Sequence, residues 1–95
     1  MNVIAHAPHS WFLLLDLNDL YLDVNCNRGA VGFSILLRLT REERDAYRDE
    51  GQSAIERLAA GVQDRPNGCW DRNLDATWHQ MVTQAVREWR SEQPD

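Results

Sequence analysis

Along this chain the spacing of apolar residues changes once, from period two in the first forty residues to helical spacing in the remainder. Trp11-Phe12-Leu13-Leu14-Leu15-Asp16-Leu17 has strand length, and Leu20-Tyr21-Leu22-Asp23-Val24 follows the polar pair Asn18-Asp19. A two-residue turn at Asn18-Asp19 predicts a hairpin in which Leu17 faces Leu20, Leu15 faces Leu22, Leu13 faces Val24 and Trp11 faces Cys26. All eight are apolar and share one face, whereas a slip of one residue pairs apolar with polar positions throughout. Asn25 to Gly29 reads as the next turn, with Gly29 available for positive φ. A third strand then alternates, with Val31, Phe33, Ile35, Leu37 and Leu39 on its inner side.

At Thr40 the period changes. Thr40-Arg41-Glu42-Glu43 has the form of a capping box, with acidic residues at the positive end of the helix dipole. The stripe Tyr47, Gly51, Ala54, Ile55, Leu58, Val62 predicts one long helix, and Gly51 within it reads as a close approach of that helix to the sheet. Pro66 and Asn67-Gly68 mark a loop. A second helix is expected from about Asn73, with Leu74, Trp78, Met81, Val82, Ala85 and Trp89 as its stripe. The expected fold is α+β: a three-stranded antiparallel sheet in the order β-β-β-α-α, both helices packed on one face, in a single domain over residues 1–95 with frayed ends at 1–9 and 91–95.

Composition narrows the function classes. The 95 residues carry a formal charge of −5, and all ten basic residues are arginine. Nucleic-acid affinity rests on neutralising phosphates, so this balance argues against direct nucleic-acid binding and favours a basic partner. The first residues have neither a basic nor an apolar leader segment, and no apolar run reaches the roughly 20 residues that span a bilayer. A cytoplasmic location is therefore expected, with Cys26 and Cys69 as free thiols and a Cys26–Cys69 disulfide as the alternative.

Catalytic and metal-binding patterns are missing. His6 and His9 are separated by Pro8, which prevents the helix that would bring them together. His79 falls off its helix stripe and reads as a surface residue. Cys26 falls on the buried face, and Cys69, beside Trp70 and Arg72, is the better nucleophile candidate but has no evident base. Asp16 and Asp23 share the outer sheet face without a cleft between them. The expectation is a protein that is not an enzyme, with no catalytic residues, no metal and no cofactor.

The predicted register leaves apolar residues on the second sheet face. Phe12, Leu14, Tyr21 and Leu36 emerge there beside Asp16 and Asp23, with Asp19 at the turn. Two helices on one face cannot cover them, so this surface is expected to bind a protein partner, to self-associate, or to be covered by a helix after all. Trp70, between Gly68 and Arg72, is a second expected anchor.

The stretch from Trp11 to Val62 resembles small bacterial toxin-immunity proteins. The likeness lies in an apolar hairpin ending in Tyr21-Leu22-Asp23-Val24, a strand Gly32-Phe33-Ser34-Ile35, and Leu39-Thr40-Arg41-Glu42-Glu43 opening a helix with Tyr47 and Gly51. It is one of layout, covers about half the chain and transfers no functional residue. It implies an inhibitor that occludes a toxin's active site without chemistry. Asp16, Asp19 and Asp23 would then meet a basic cleft such as that of a nuclease. The alternative is a homodimeric structural or regulatory subunit with no toxin partner.

Overall fold

Where the sequence alternates, the backbone is extended, and successive strands pair in chain order. In the computed structural model, which describes residues 1–28 and 31–93, β1 (Asn2–Ala7), β2 (Trp11–Asp16), β3 (Asp19–Arg28) and β4 (Val31–Arg38) form an antiparallel meander. The sheet has four strands, not three, because residues expected to fray pair along the outer edge of β2. Leu13 and Leu14 of β2 are fully buried, so an unpaired edge there would strand backbone polar groups away from water. β1 supplies the partners. Pro8 and His9 turn the chain between the two, with His9 at φ 62 and the Ser10 amide donating to the Ala7 carbonyl at 3.0 Å. That is the turn chemistry of proline followed by a residue with positive φ.

The β2–β3 hairpin forms in a different register from the one expected. Asp16 pairs with Asp19, Leu15 with Leu20, Leu13 with Leu22 and Trp11 with Val24, so the turn residues are Leu17 and Asn18. The shift is two residues in the partner strand, which preserves the side-chain alternation and therefore both faces. It places Asp19 within reach of Arg38 at 3.9 Å and Arg44 at 3.7 Å, while Arg44 also donates to the Asn18 carbonyl at 3.0 Å. The turn expected over Asn25 to Gly29 does not begin at Asn25: residues Asn25 to Arg28 continue β3 and pair with β4, and Gly29 lies outside the described residues.

The helical half divides into four segments: α1 (Arg41–Glu50), α2 (Gln52–Asp64), a 3₁₀ helix (Pro66–Arg72) and α3 (Ala76–Glu92). The capping box at Thr40 forms as read, with Glu43 donating its amide to the Thr40 hydroxyl at 3.2 Å and accepting the Thr40 amide at 2.8 Å. Gly51 does not mark a close approach. A methyl group added there would meet nothing within 4 Å, and its φ of 70 with ψ of −145 breaks the expected long helix in two. Only glycine adopts that conformation without strain.

The decisive correction concerns the layers. α2 packs Ile55, Ala59 and Val62 against Trp11, Leu13, Leu22, Val24, Cys26, Ile35 and Leu37. α3 packs Val82 and Ala85 on the opposite face, over Leu14, Tyr21 and Leu36. The helices thus lie on both sides of the sheet, and each face of β2 and β3 belongs to a core. Asn73 does not cap α3; that role falls to Asp75, whose carboxylate accepts the Trp78 amide at 3.3 Å. Asn73 instead closes the β4 edge. Its Oδ1 accepts the Leu36 amide at 3.0 Å, and the Leu74 amide donates to the Leu36 carbonyl at 2.9 Å.

α1 has no fully buried residue: Tyr47 packs part-buried against the α2-side core, and polar contacts fix the helix's first turn. Arg72 grips Glu43 with two hydrogen bonds, at 2.7 and 2.9 Å, and donates to the Arg38 carbonyl at 3.0 Å. Burial raises the Glu43 pKa, but the Arg72 guanidinium and the Thr40 groups together outweigh it and hold the carboxyl below its ordinary value. A folded-state pKa below the unfolded one means the native state binds fewer protons, so this stabilisation exists above the unfolded pKa and is lost as pH falls through the folded one. Glu43→Gln is expected to cost about 1–2 kcal/mol at pH 7, a partly exposed charged pair being discounted for solvent screening. Urea melts across an acid series check this: the gap between Glu43→Gln and the parent should close as the pH drops, and a constant gap contradicts the assignment.

Candidate functional site

The residues expected to form one binding surface are distributed over four places. Leu14, Tyr21 and Leu36 lie in the core beneath α3, at 0–2% exposure, so they present nothing to a partner. The ring of Tyr21 stacks on Trp78 with centroids 5.0 Å apart, and Arg38 covers both rings at 5.4 Å. The correction has a plain cause: a strand apolar on both faces needs two covering layers, and α3 is the second.

Phe12 and Asp23 stay together, but at a cleft beside α3 and not on an open face. Phe12 packs edge-on against Trp89 at 5.7 Å and stacks with His6 at 5.8 Å, while the Arg90 guanidinium sits over its ring at 5.7 Å. His6 is thereby part of an aromatic cluster and not of a metal pair with His9. No group of three or more His, Cys, Asp or Glu residues suited to a metal occurs among the described residues. The Asp23 carboxyl is deeply placed, and its Oδ1 is buried with no hydrogen-bond partner. Burial pushes its pKa up, opposed by the charge of His79 and by a hydrogen bond from Ser34.

Asp16 and Asp19 flank the hairpin turn. Asp16 lies 3.5 Å from the amino terminus, and Asp19 is shared between Arg38 and Arg44, so each carboxylate is already compensated. Between them stands Leu17, which the expected register had placed inside a strand. It is 89% exposed and holds φ at 56, a left-handed conformation that bulky side chains rarely adopt. Leu15 and Ile4, each about two-fifths exposed, add apolar surface on β2 and β1.

Trp70 stands apart on the 3₁₀ helix, 56% exposed, with its ring edge-on to Phe33 at 6.0 Å. Phe33 pairs with Cys26, several residues along β3 and β4 from the Leu17 turn. Cys69 is half-buried against the α2-side core, Cys26 is buried with its Sγ donating to the Val24 carbonyl at 3.7 Å, and the two do not form a disulfide with each other.

Sequence reading missed four residues. Leu17 was hidden by the register. Arg87 and Arg90 look like ordinary exposed helix residues until α3 is laid over the sheet, and then they line the wall opposite Asp23. His79 is half-buried, not a surface residue, and its Nε2 lies 2.8 Å from Asn73 Oδ1. Because that oxygen also accepts the Leu36 amide, His79 must be the donor.

None of the described helices is long and apolar enough to cross a membrane. Set against known proteins, the chain matches no family model, and no curated protein or solved structure shares enough with it to assign a family.

Proposed function

We propose that this chain is a non-catalytic protein-binding module and, following its resemblance to toxin-immunity proteins, an inhibitor that covers the active site of a basic partner such as a nuclease domain. The observation that carries the reading is Leu17. A leucine at φ 56 and 89% exposure contributes neither local conformational stability nor core packing. Asn or Gly would hold such a turn at lower cost, by about 1 kcal/mol. Strain of this kind, retained at an exposed apolar side chain, is a feature of recognition sites. The hairpin tip would insert Leu17 into an apolar pocket, with Leu15 and Ile4 beside it, while Asp16 and Asp19, already paired with the amino terminus and with Arg38 and Arg44, hold the turn in shape. The net charge of −5 over the whole chain would steer encounter with a basic partner more than it adds affinity.

Leu17→Asn tests this directly. It is expected to raise stability by about 0.5–1 kcal/mol, because asparagine tolerates positive φ and no burial is lost. The same change should weaken the complex with the protein encoded beside this chain's gene at least tenfold, read by calorimetric titration. Unchanged binding by Leu17→Asn removes the tip from the interface, and no complex with that neighbour removes the inhibitor reading. Sedimentation of the chain alone at micromolar concentration separates the alternative, since a homodimer working through the same tip would dissociate in the variant.

A further inference from the structure

The cleft beside Asp23 lies outside the hairpin tip and has a composition that the fold does not require. Two depressions open between the sheet and the C-terminal half of α3, of about 210 and 370 Å³. Both are lined by Phe12, Asp23 and Arg90, so they are two halves of one cleft, divided by the Arg90 side chain where it lies over the Phe12 ring. The smaller half has the volume of roughly seven water molecules at about 30 Å³ each, enough for a molecule of several heavy atoms.

Asp23 is met in this cleft by a Ser34 hydrogen bond and the charge of His79, but by neither arginine. Asp23 and Arg90 line the same cleft yet form no ion pair within 4.0 Å, and neither Arg87 nor Arg90 pairs with any carboxylate among the described residues. Asp23 Oδ1 is the one buried side-chain oxygen or nitrogen without a partner among them. Native structures seldom leave such an atom unmatched without a functional or solvent-based reason. The interior end therefore calls for a hydrogen-bond donor, and a cationic donor compensates the carboxylate best. At the mouth, two guanidinium groups call for an anion, and a carboxylate matches their fork geometry. A ligand meeting both ends carries opposite charges a few ångströms apart.

We propose that this cleft binds a small zwitterion of the α-amino acid class, with its ammonium group on Asp23 and its carboxylate on Arg87 and Arg90. Phe12 forms the apolar floor, and Arg90 swings from its ring to admit the ligand and then clamp it. Among the described residues a cation–π contact with Phe12 is what holds the exposed Arg90 side chain, so the movement breaks no ion pair among them.

The full chain, labelled with ¹⁵N, is titrated separately with each proteinogenic amino acid to about 10 mM, with acetate and ethylamine as single-charge probes. At least one amino acid should bind saturably with Kd below about 1 mM, shifting the amides of Phe12, Asp23, Ser34 and Arg90. Acetate and ethylamine should bind at least tenfold more weakly. Asp23→Asn and Arg90→Gln should each weaken the amino acid at least tenfold while keeping the dispersed spectrum of a folded chain. Arg90 is exposed, so Arg90→Gln carries the test even if Asp23→Asn alters the fold. Absence of saturable shifts with every amino acid overturns the proposal, as does equal binding of acetate or undiminished binding by Arg90→Gln.

Discussion

Replacing Leu36 with Asp is expected to leave no cooperative unfolding transition at 25 °C. Leu36 is fully buried between the sheet and α3, where its backbone amide and carbonyl are already committed to Asn73 and Leu74. The change forfeits about 2 kcal/mol of apolar burial and adds several kcal/mol for an unpaired carboxylate out of water. A domain of this size holds a total of about 5–14 kcal/mol, so the sum removes most or all of it. Leu36→Ala calibrates the effect: it should cost about 2–5 kcal/mol and remain folded. Far-UV circular dichroism with urea melts measures both. If Leu36→Asp keeps a near-normal midpoint, α3 does not cover this face in solution and an open docking surface becomes tenable again.

Ending the chain after Asp75 is expected to abolish the native fold. Without α3, Leu14, Tyr21 and Leu36 would be bared together, and each was buried to within 2%. At about 1.5–3 kcal/mol for each large side chain, the loss rivals the whole stability of the domain. The remaining chain would expose an apolar sheet face, so it should aggregate or bind a hydrophobic dye and show a collapsed proton spectrum. A truncated chain with well-dispersed resonances would make α3 an appendage and not half of the core.

Both predictions turn on the part of the fold that the residue pattern left open. The hairpin strands, their two faces and the capping box at Thr40 were legible, because each depends on short-range spacing. The hairpin register was misread, but by two residues, which leaves every paired side chain on its face and moves Leu17 from the strand into the turn. Turn chemistry favoured Asn18-Asp19; pairing of Asp19 with Arg38 and Arg44 accompanies Leu17-Asn18. β1 was overlooked because its six residues form a strand only against an edge that needs them. Of the expected binding residues, Asp19 and Trp70 remain substantially exposed, while Leu14, Tyr21 and Leu36 became core. The Asp23 cleft could not be read in advance, since its walls come from β2, β3, β4 and α3 and meet only on packing.

By itself, the sequence determined which residues alternate, which repeat at helical spacing, and therefore that an antiparallel sheet precedes amphipathic helices. Periodicity is a property of neighbouring residues and survives any arrangement of the finished elements. Only the tertiary structure decided which helix covers which face. A stripe on α3 is equally apolar against either side of a sheet, and the choice follows from Asn73 and Leu74 closing the β4 edge and turning the chain across to the second face. That one crossing converts an apparent docking surface into a core, and it leaves the Leu17 tip and the Asp23 cleft as the features on which the two proposals rest.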